Sequence, residues 1–169
     1  MTRTAYEAQP RDRLLDGIAE EFLHNAPHGR RLIAVEGAAS ASTSTSASAD
    51  AARFADDLAA ALTAHGQSVV RATVGNADEA ALRADTIEPF RAAILPGASD
   101  DAVLVVDGRG LLDGGARGIW HFSLWLLAGD ELPHSGASVI VDVTEPGTPR
   151  RFFYDYCALP PSANRAGLS

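Results

Sequence analysis

The residues with the clearest chemical potential lie in a loop rich in serine and threonine. Gly37 follows a short apolar run, and the twelve residues after it, 38–49, contain only Ala, Ser and Thr. A phosphate-binding loop uses glycines to turn backbone N–H groups toward the anion, a lysine to neutralise it and a hydroxyl for magnesium. This loop supplies hydroxyls, among them Ser44, Ser46 and Ser48, but has no further glycine and no lysine. Two interpretations stay open: an anion site built from hydroxyls and the next helix N-terminus, or a flexible low-complexity loop, which we favour.

Charged side chains occur at other positions where an open parallel sheet would bind ligands. Such sheets bind beyond the carboxyl ends of their strands, which here means after Glu36, after Val74 and after Asp107. Asp107 ends an apolar run, as in strands whose terminal carboxylate reaches a magnesium-bound water, although many strands end in Asp-Gly at a turn. Arg109 and Arg117 either contact an anion above the sheet or pair with carboxylates, and we favour the pairing.

Residues that bind metals or act as nucleophiles are few. His24 and His28 are four residues apart, but Pro27 lies between them and breaks the helix that would align them. No third ligand is nearby in the sequence, so we expect no metal site. Cys157 has no neighbouring base and is not expected to act as a nucleophile.

Periodic apolar segments define the elements that must position these residues. The spacing predicts helices over 11–25, 50–66 and 78–95 and strands over 31–36, 68–74, 102–107, 121–127 and 138–143. The alternation of strand and helix favours an α/β fold, a three-layer sandwich with a five-stranded, mostly parallel sheet. We expect one domain over 11–155, a flexible N-terminal tail over 1–10 and a C-terminal tail over 156–169.

Two details of the predicted helices are specific enough to test. Asp50 is expected to cap the second helix at its N-terminus. In the third helix Pro89 should produce a kink. The apolar side chains of that helix expected to face the core are Leu82, Ile87, Phe90 and Ile94.

The charge balance of the chain excludes several classes of partner. The 169 residues carry a net charge of −8, and all 14 Lys and Arg positions are arginine. Nucleic acids and anionic membranes bind clustered cations, and no basic stripe is present, so neither is an expected partner. The single cysteine and the absence of an apolar N-terminal segment favour a cytoplasmic location.

The order of the segments resembles the bacterial uridine kinase branch of the P-loop kinases. The resemblance covers most of residues 11–150, and the segments that carry it are RLIAVEG, RFADDLAAALTAHGQSVVRATV, ADTIEPF, VLVVDGRGLL, IWHFSLWL and SVIVDVTEPGTPR. It implies a P-loop nucleoside kinase-like fold. Enzymes of this family transfer the γ-phosphoryl group of ATP or GTP to a nucleoside 5′-hydroxyl.

The resemblance also implies roles for individual residues. Gly37 matches the opening glycine of the phosphate loop, and Glu36 matches the acidic residue before it. Asp107 matches the carboxylate that follows the third strand. Ser46 or Ser48 would stand near the hydroxyl that binds magnesium, although this loop is longer than the family's and leaves the register open.

Three parts of the family's machinery for phosphoryl transfer are missing. The Gly-Lys-Ser/Thr core of the phosphate loop is absent, and the connection 127–137 has none of the arginines of the family's helical lid. The Asp that acts on the substrate hydroxyl is also missing after the second strand, where Asp78 could replace it but is expected to cap the third helix. Phosphoryl transfer depends almost entirely on positioning and charge neutralisation, so the missing residues are the ones that would catalyse it.

The sequence therefore predicts a catalytically degenerate relative of uridine kinase. We expect it to serve as a binding or structural partner, with another protein or as a homo-oligomer, and without a cofactor. One alternative is an active nucleoside kinase with an atypical hydroxyl-rich phosphate loop, which would use ATP and Mg²⁺ and place Glu36 and Arg109 against the nucleotide. Another is a module that binds small anions without hydrolysis.

Overall fold

The computed structural model describes residues 10–38, 47–76 and 78–152. Ser44 and Ser46 lie outside the described residues, as do most of the predicted N-terminal tail and all of the C-terminal tail. Ser48 lies in a helix, but its side chain is also outside the description.

A single mixed sheet organises the described part of the chain. Its strands are β1 (Arg31–Gly37), β2 (Val69–Thr73), β3 (Val103–Gly108), β4 (Phe122–Leu127), β5 (Val139–Asp142) and β6 (Arg150–Arg151). Their order across the sheet is β2-β3-β1-β4-β5-β6. The first five strands run parallel, as predicted, whereas β6 pairs antiparallel with β5. The prediction of five strands was wrong, because β6 is a pair of arginines with no apolar pattern to reveal it.

Helices cover both faces of this sheet. The helical segments are α1 (Arg11–Asn25), α2 (Ala47–Ala64), α3 (Glu79–Leu82), a π-helical turn (Arg83–Ile87), α4 (Glu88–Arg91) and a 3₁₀ helix (Gly114–Ile119). One core lies between the sheet and the α1–α2 pair, and a second lies between the sheet and the α3–α4 region with the 3₁₀ helix. Alternate residues of β1 divide between the two cores, because successive side chains of a strand point to opposite faces.

The second helix begins earlier than the sequence predicts. It starts at Ala47, so Asp50 lies in its first turn and is not its N-cap. A carboxylate in the first turn is still favourable there, because it interacts with the positive end of the helix dipole.

The third predicted helix is divided by a π-helical turn. Pro89 has no N–H to donate. It is the second residue of α4, the helix that directly follows the π-helical residues. Phe90 is buried as predicted, as are Leu82 and Ile87. The prediction for Ile94 was wrong: its side chain is 73% exposed, because the helix ends at Arg91 and the chain then turns through a positive φ at Ala93.

The end of β3 packs tightly against the turn that follows β2. A Cβ atom added to Gly108 would lie 2.6 Å from a methyl carbon of Val74 and 3.0 Å from the carbonyl oxygen of Gly75. We therefore expect Gly108→Ala to lower the free energy of unfolding by at least about 1 kcal/mol, the usual scale of overpacking. Urea denaturation measures this change. Gly118→Ala is the control, because a Cβ there meets nothing within 4 Å, and equal losses in both variants would contradict the packing argument.

No helix in the described ranges is long and apolar enough to cross a membrane.

Candidate functional site

The candidate site lies at the carboxyl ends of β1 and β3, which are neighbours in the sheet. The chain leaves β1 toward α2 on one face and leaves β3 toward the 3₁₀ helix on the other. Diverging connections of this kind open a crevice at the edge of a parallel sheet, where α/β proteins bind ligands. The register places Glu36 opposite Gly108 and Val35 opposite Asp107, so the two predicted acidic residues lie at this edge but point to opposite faces of the sheet. Gly37 ends β1 at the same place.

The carboxylate of Glu36 is held by backbone N–H groups of the loop after β3. Its Oε1 accepts from the N–H of Gly110 at 2.6 Å, and its Oε2 accepts from the N–H of Leu112 at 3.0 Å. Gly110 has φ +72°, a conformation that favours glycine, and this lets the loop turn its N–H groups inward. Burial raises the pKa of Glu36, and these backbone hydrogen bonds oppose the shift. These N–H groups of the loop after β3 are therefore bound to a carboxylate of the chain itself.

The carboxylate of Asp107 is paired with the neighbouring strand β2. Its Oδ1 accepts from Nη2 of Arg71 and from the hydroxyl of Thr73, each at 2.7 Å. The Arg71 guanidinium also donates to Asp56 in α2 at 2.9 Å, and it thereby joins β2, β3 and α2. Asp107 is only 4% exposed. The structure thus gives Asp107 a structural ion pair, and the role toward a magnesium-bound water stays a prediction.

The remaining predicted residues lie around the same edge. Asp78 caps α3, where its carboxylate accepts from the N–H of Ala81 at 2.7 Å, as the sequence predicts. The backbone N–H of Arg109 donates to the carbonyl of Gly75 at 2.7 Å and ties the loop after β3 to the turn after β2. Neither residue is shown to face a ligand by these contacts.

Glu131, which sequence reasoning missed, lies at the N-terminus of α2. Its Oε1 accepts from the N–H of Ala47, the first residue of α2, at 3.2 Å and from the N–H of Ala128 at 2.8 Å. Its Oε2 is buried and has no hydrogen-bond partner within the described ranges. The N-terminus of a helix is a common binding site for phosphate. Here a carboxylate from the β4–β5 connection occupies that site.

A buried histidine lies in the same connection. His134 is 1% exposed, and its ring centroid lies 5.0 Å from that of Trp125 in β4. Its Nδ1 accepts from the N–H of Gly136 at 3.0 Å, which assigns the proton of the neutral ring to Nε2. Nε2 is buried without a partner among the described residues, and burial lowers the pKa of His134. The connection that holds Glu131 is thus fixed by a buried imidazole whose surroundings favour its neutral form.

The signal that could have found Glu131 was its position. It lies in a connection at the carboxyl edge of the sheet, where an acidic side chain can reach the N-terminus of the helix that follows β1. His134 carried no signal, since a single histidine in a polar connection is usually exposed.

No protein-family model, curated protein or solved structure matches this chain. The fold defines the class of the protein as α/β with a mostly parallel six-stranded sheet. Within that class, the relation to uridine kinases rests on the segment order of the sequence and stays a prediction.

Proposed function

We propose that this chain is a catalytically degenerate relative of the uridine kinase-like P-loop kinases and serves as a binding or structural partner. The resemblance of the sequence is the starting point. One observation is the main support for a loss of catalysis: the carboxylate of Glu131 lies at the N-terminus of α2. A kinase of this type needs its nucleotide phosphates at that place.

The electrostatics of this arrangement oppose phosphate. A helix N-terminus attracts negative groups, and Glu131 already accepts there from the N–H of Ala47, as well as from the N–H of Ala128 after β4. A nucleotide phosphate would have to displace a carboxylate whose second oxygen is buried, and no lysine exists in the chain to compensate the added charge. Like charges at close range in a partly buried site repel strongly.

Two acidic residues to which the resemblance gives a role in the site support the same conclusion. Glu36 is bound by N–H groups of the loop after β3, and Asp107 is paired with Arg71. Each carboxylate stabilises the contact between two elements of the sheet edge. These contacts favour a structural use of both positions over the alternative of an active kinase with a hydroxyl-rich loop.

A thermal-shift titration tests this proposal. We expect the melting temperature to stay unchanged with ATP, GTP or inorganic phosphate, with or without Mg²⁺. A ligand that binds only the folded state at 100 times its dissociation constant would add about 2.7 kcal/mol of stability. A saturable rise with ATP and Mg²⁺ would instead support the active kinase, and a rise with phosphate alone would support the anion-binding module.

Glu131→Gln is the matched variant for the same titration. Glutamine keeps an acceptor for the N–H groups of Ala47 and Ala128 but removes the negative charge. We expect phosphate to raise the melting temperature of this variant and to leave the unsubstituted protein unchanged. If phosphate changes the melting temperature of neither protein, Glu131 is not the group that excludes the anion.

A further inference from the structure

A group of mixed metal-binding side chains lies between α1 and α2. Asp16 and Glu20 are four residues apart on one face of α1, and His65 directly follows the last residue of α2. The ligating atoms of these three side chains all lie within 4.8 Å of one another. The set combines an imidazole nitrogen with carboxylate oxygens, which are ligand types that zinc(II) takes in proteins.

The geometry needs only small side-chain movements to close around an ion. Zinc binds nitrogen and oxygen at about 2.0–2.2 Å, so tetrahedral ligands stand roughly 3.3 Å apart. Nε2 of His65 now lies 2.6 Å from Oδ1 of Asp16, and an ion between them would replace that hydrogen bond. Glu20 is exposed and makes no hydrogen bond or ion pair with the described residues, so its carboxylate is available to swing inward.

The position of the histidine is set by the end of its helix. The backbone N–H of His65 donates to the carbonyls of Ala61 and Leu62, each at 3.1 Å. Gly66 follows with φ +81°, the left-handed conformation that ends many helices. The backbone that carries the imidazole therefore has a defined conformation. The two carboxylates lie on α1, which packs beside α2.

The local charge favours a cation. The last turn of α2 contains no basic residue, so the partial negative charge of its terminal carbonyls adds to that of Asp16 and Glu20. An open cleft of about 580 Å³ adjoins Asp16 and is lined by two further carboxylates, Asp12 and Asp57. The cleft also contains Arg13, while Asp57 is paired with Arg11.

We propose that Asp16, Glu20 and His65 bind a zinc(II) ion, with the fourth coordination position open toward the cleft. Three protein ligands and one open position are typical of zinc sites that bind a further group. The site is independent of the proposed function: α2 has 18 residues, so its two ends lie about 27 Å apart at 1.5 Å per residue. Sequence spacing does not reveal this group, because Asp16 and His65 are 49 positions apart and are brought together by helix packing.

Isothermal titration of the full chain with ZnCl₂ tests the site. We expect saturable binding of one ion per chain, weakened roughly tenfold or more in His65→Ala and Glu20→Gln, the scale on which losses around metal sites fall. Both substitutions change surface side chains, and circular dichroism checks that the variants stay folded. His28→Ala is the matched control, because His28 is exposed in the loop between α1 and β1 and stands outside the group.

The outcomes separate cleanly. Loss of the site in His65→Ala and Glu20→Gln, with His28→Ala unchanged, supports the proposal. It is overturned by the absence of saturable binding, by binding that survives both substitutions, or by an equal loss in the His28→Ala control.

Discussion

Replacing Arg71 with methionine is expected to lower the free energy of unfolding by about 3 kcal/mol. The substitution leaves the buried carboxylate of Asp107 with the Thr73 hydroxyl but without its cation. Breaking a buried ion pair from one side costs roughly 3–5 kcal/mol, because the remaining charge is desolvated and unpaired. The lower end of that range applies, because the Arg71 side chain is 22% exposed and water can partly replace it.

The measurement is urea denaturation of the unsubstituted protein and three variants under one condition. The double variant Arg71→Met with Asp107→Asn should recover part of the loss, because a neutral amide needs no countercharge. Arg83→Met is the control: Arg83 pairs with Glu79 one helical turn away, and both side chains are at least 40% exposed, so the expected cost is about 0.5 kcal/mol or less. Equal costs for Arg71→Met and Arg83→Met would show that the Asp107 pair does not have the structural role assigned to it.

Local patterns in the sequence were sufficient to predict most elements of the fold. The predicted helix over 11–25 has the bounds of α1, and each of the five predicted strands has a counterpart in the sheet within about two residues at either end. Asp78 as a cap of α3 is equally local, because the capping bond spans only three residues. Periodicity and capping report such features since they involve residues close in the sequence.

Features decided by partners elsewhere in the chain were not predictable in this way. Ile94 continues the apolar spacing of the third helix, but the helix ends before it and the side chain is exposed. The strand β6 exists because its arginines pair with β5, and one of them, Arg151, also forms an ion pair with Glu21 in α1. A two-residue strand leaves no apolar pattern of its own.

The candidate site shows the same division. The rule that parallel sheets bind at their carboxyl ends located Glu36 and Asp107 correctly at one edge. It could not indicate what fills the site, because the partners of these carboxylates come from β2 and from the loop after β3. Glu131 reaches Ala47 across 84 positions of the sequence, a contact set only by the folded sheet.

Stability is expected to fall when the pH drops below about 6.5, because His134 is buried in its neutral form. In the unfolded chain a histidine binds a proton near pH 6.5, whereas burial lowers the pKa of His134 in the folded state. Above pH 6.5 both states are neutral at this residue and its contribution to stability is complete. As the pH falls further, only the unfolded chain gains the proton, so the free energy of unfolding drops by up to about 1.4 kcal/mol per pH unit until the folded pKa is reached.

The groups around His134 are compatible with this direction. Asp113 favours the protonated ring and Arg117 opposes it, but burial is the largest cause of the lowered pKa. Protonation would also remove the lone pair with which Nδ1 accepts from Gly136. The acid form therefore loses the bond that fixes the β4–β5 connection, and with it the support of Glu131 at α2.

Urea denaturation at pH 7.5, 6.5 and 5.5 measures this effect when the unsubstituted protein is compared with His134→Gln. Glutamine can accept from Gly136 but does not titrate, so the variant should lose less stability between pH 6.5 and 5.5 whatever its stability at pH 7.5. Two other groups also have shifted pKa values: the pKa of His121 is lowered and that of Glu36 is raised. Both groups are present in each protein, so their contributions to the pH dependence cancel in the difference. A parallel pH dependence of the unsubstituted protein and His134→Gln would mean that the β4–β5 connection tolerates a charged imidazole, and the acid loss would then have to arise elsewhere.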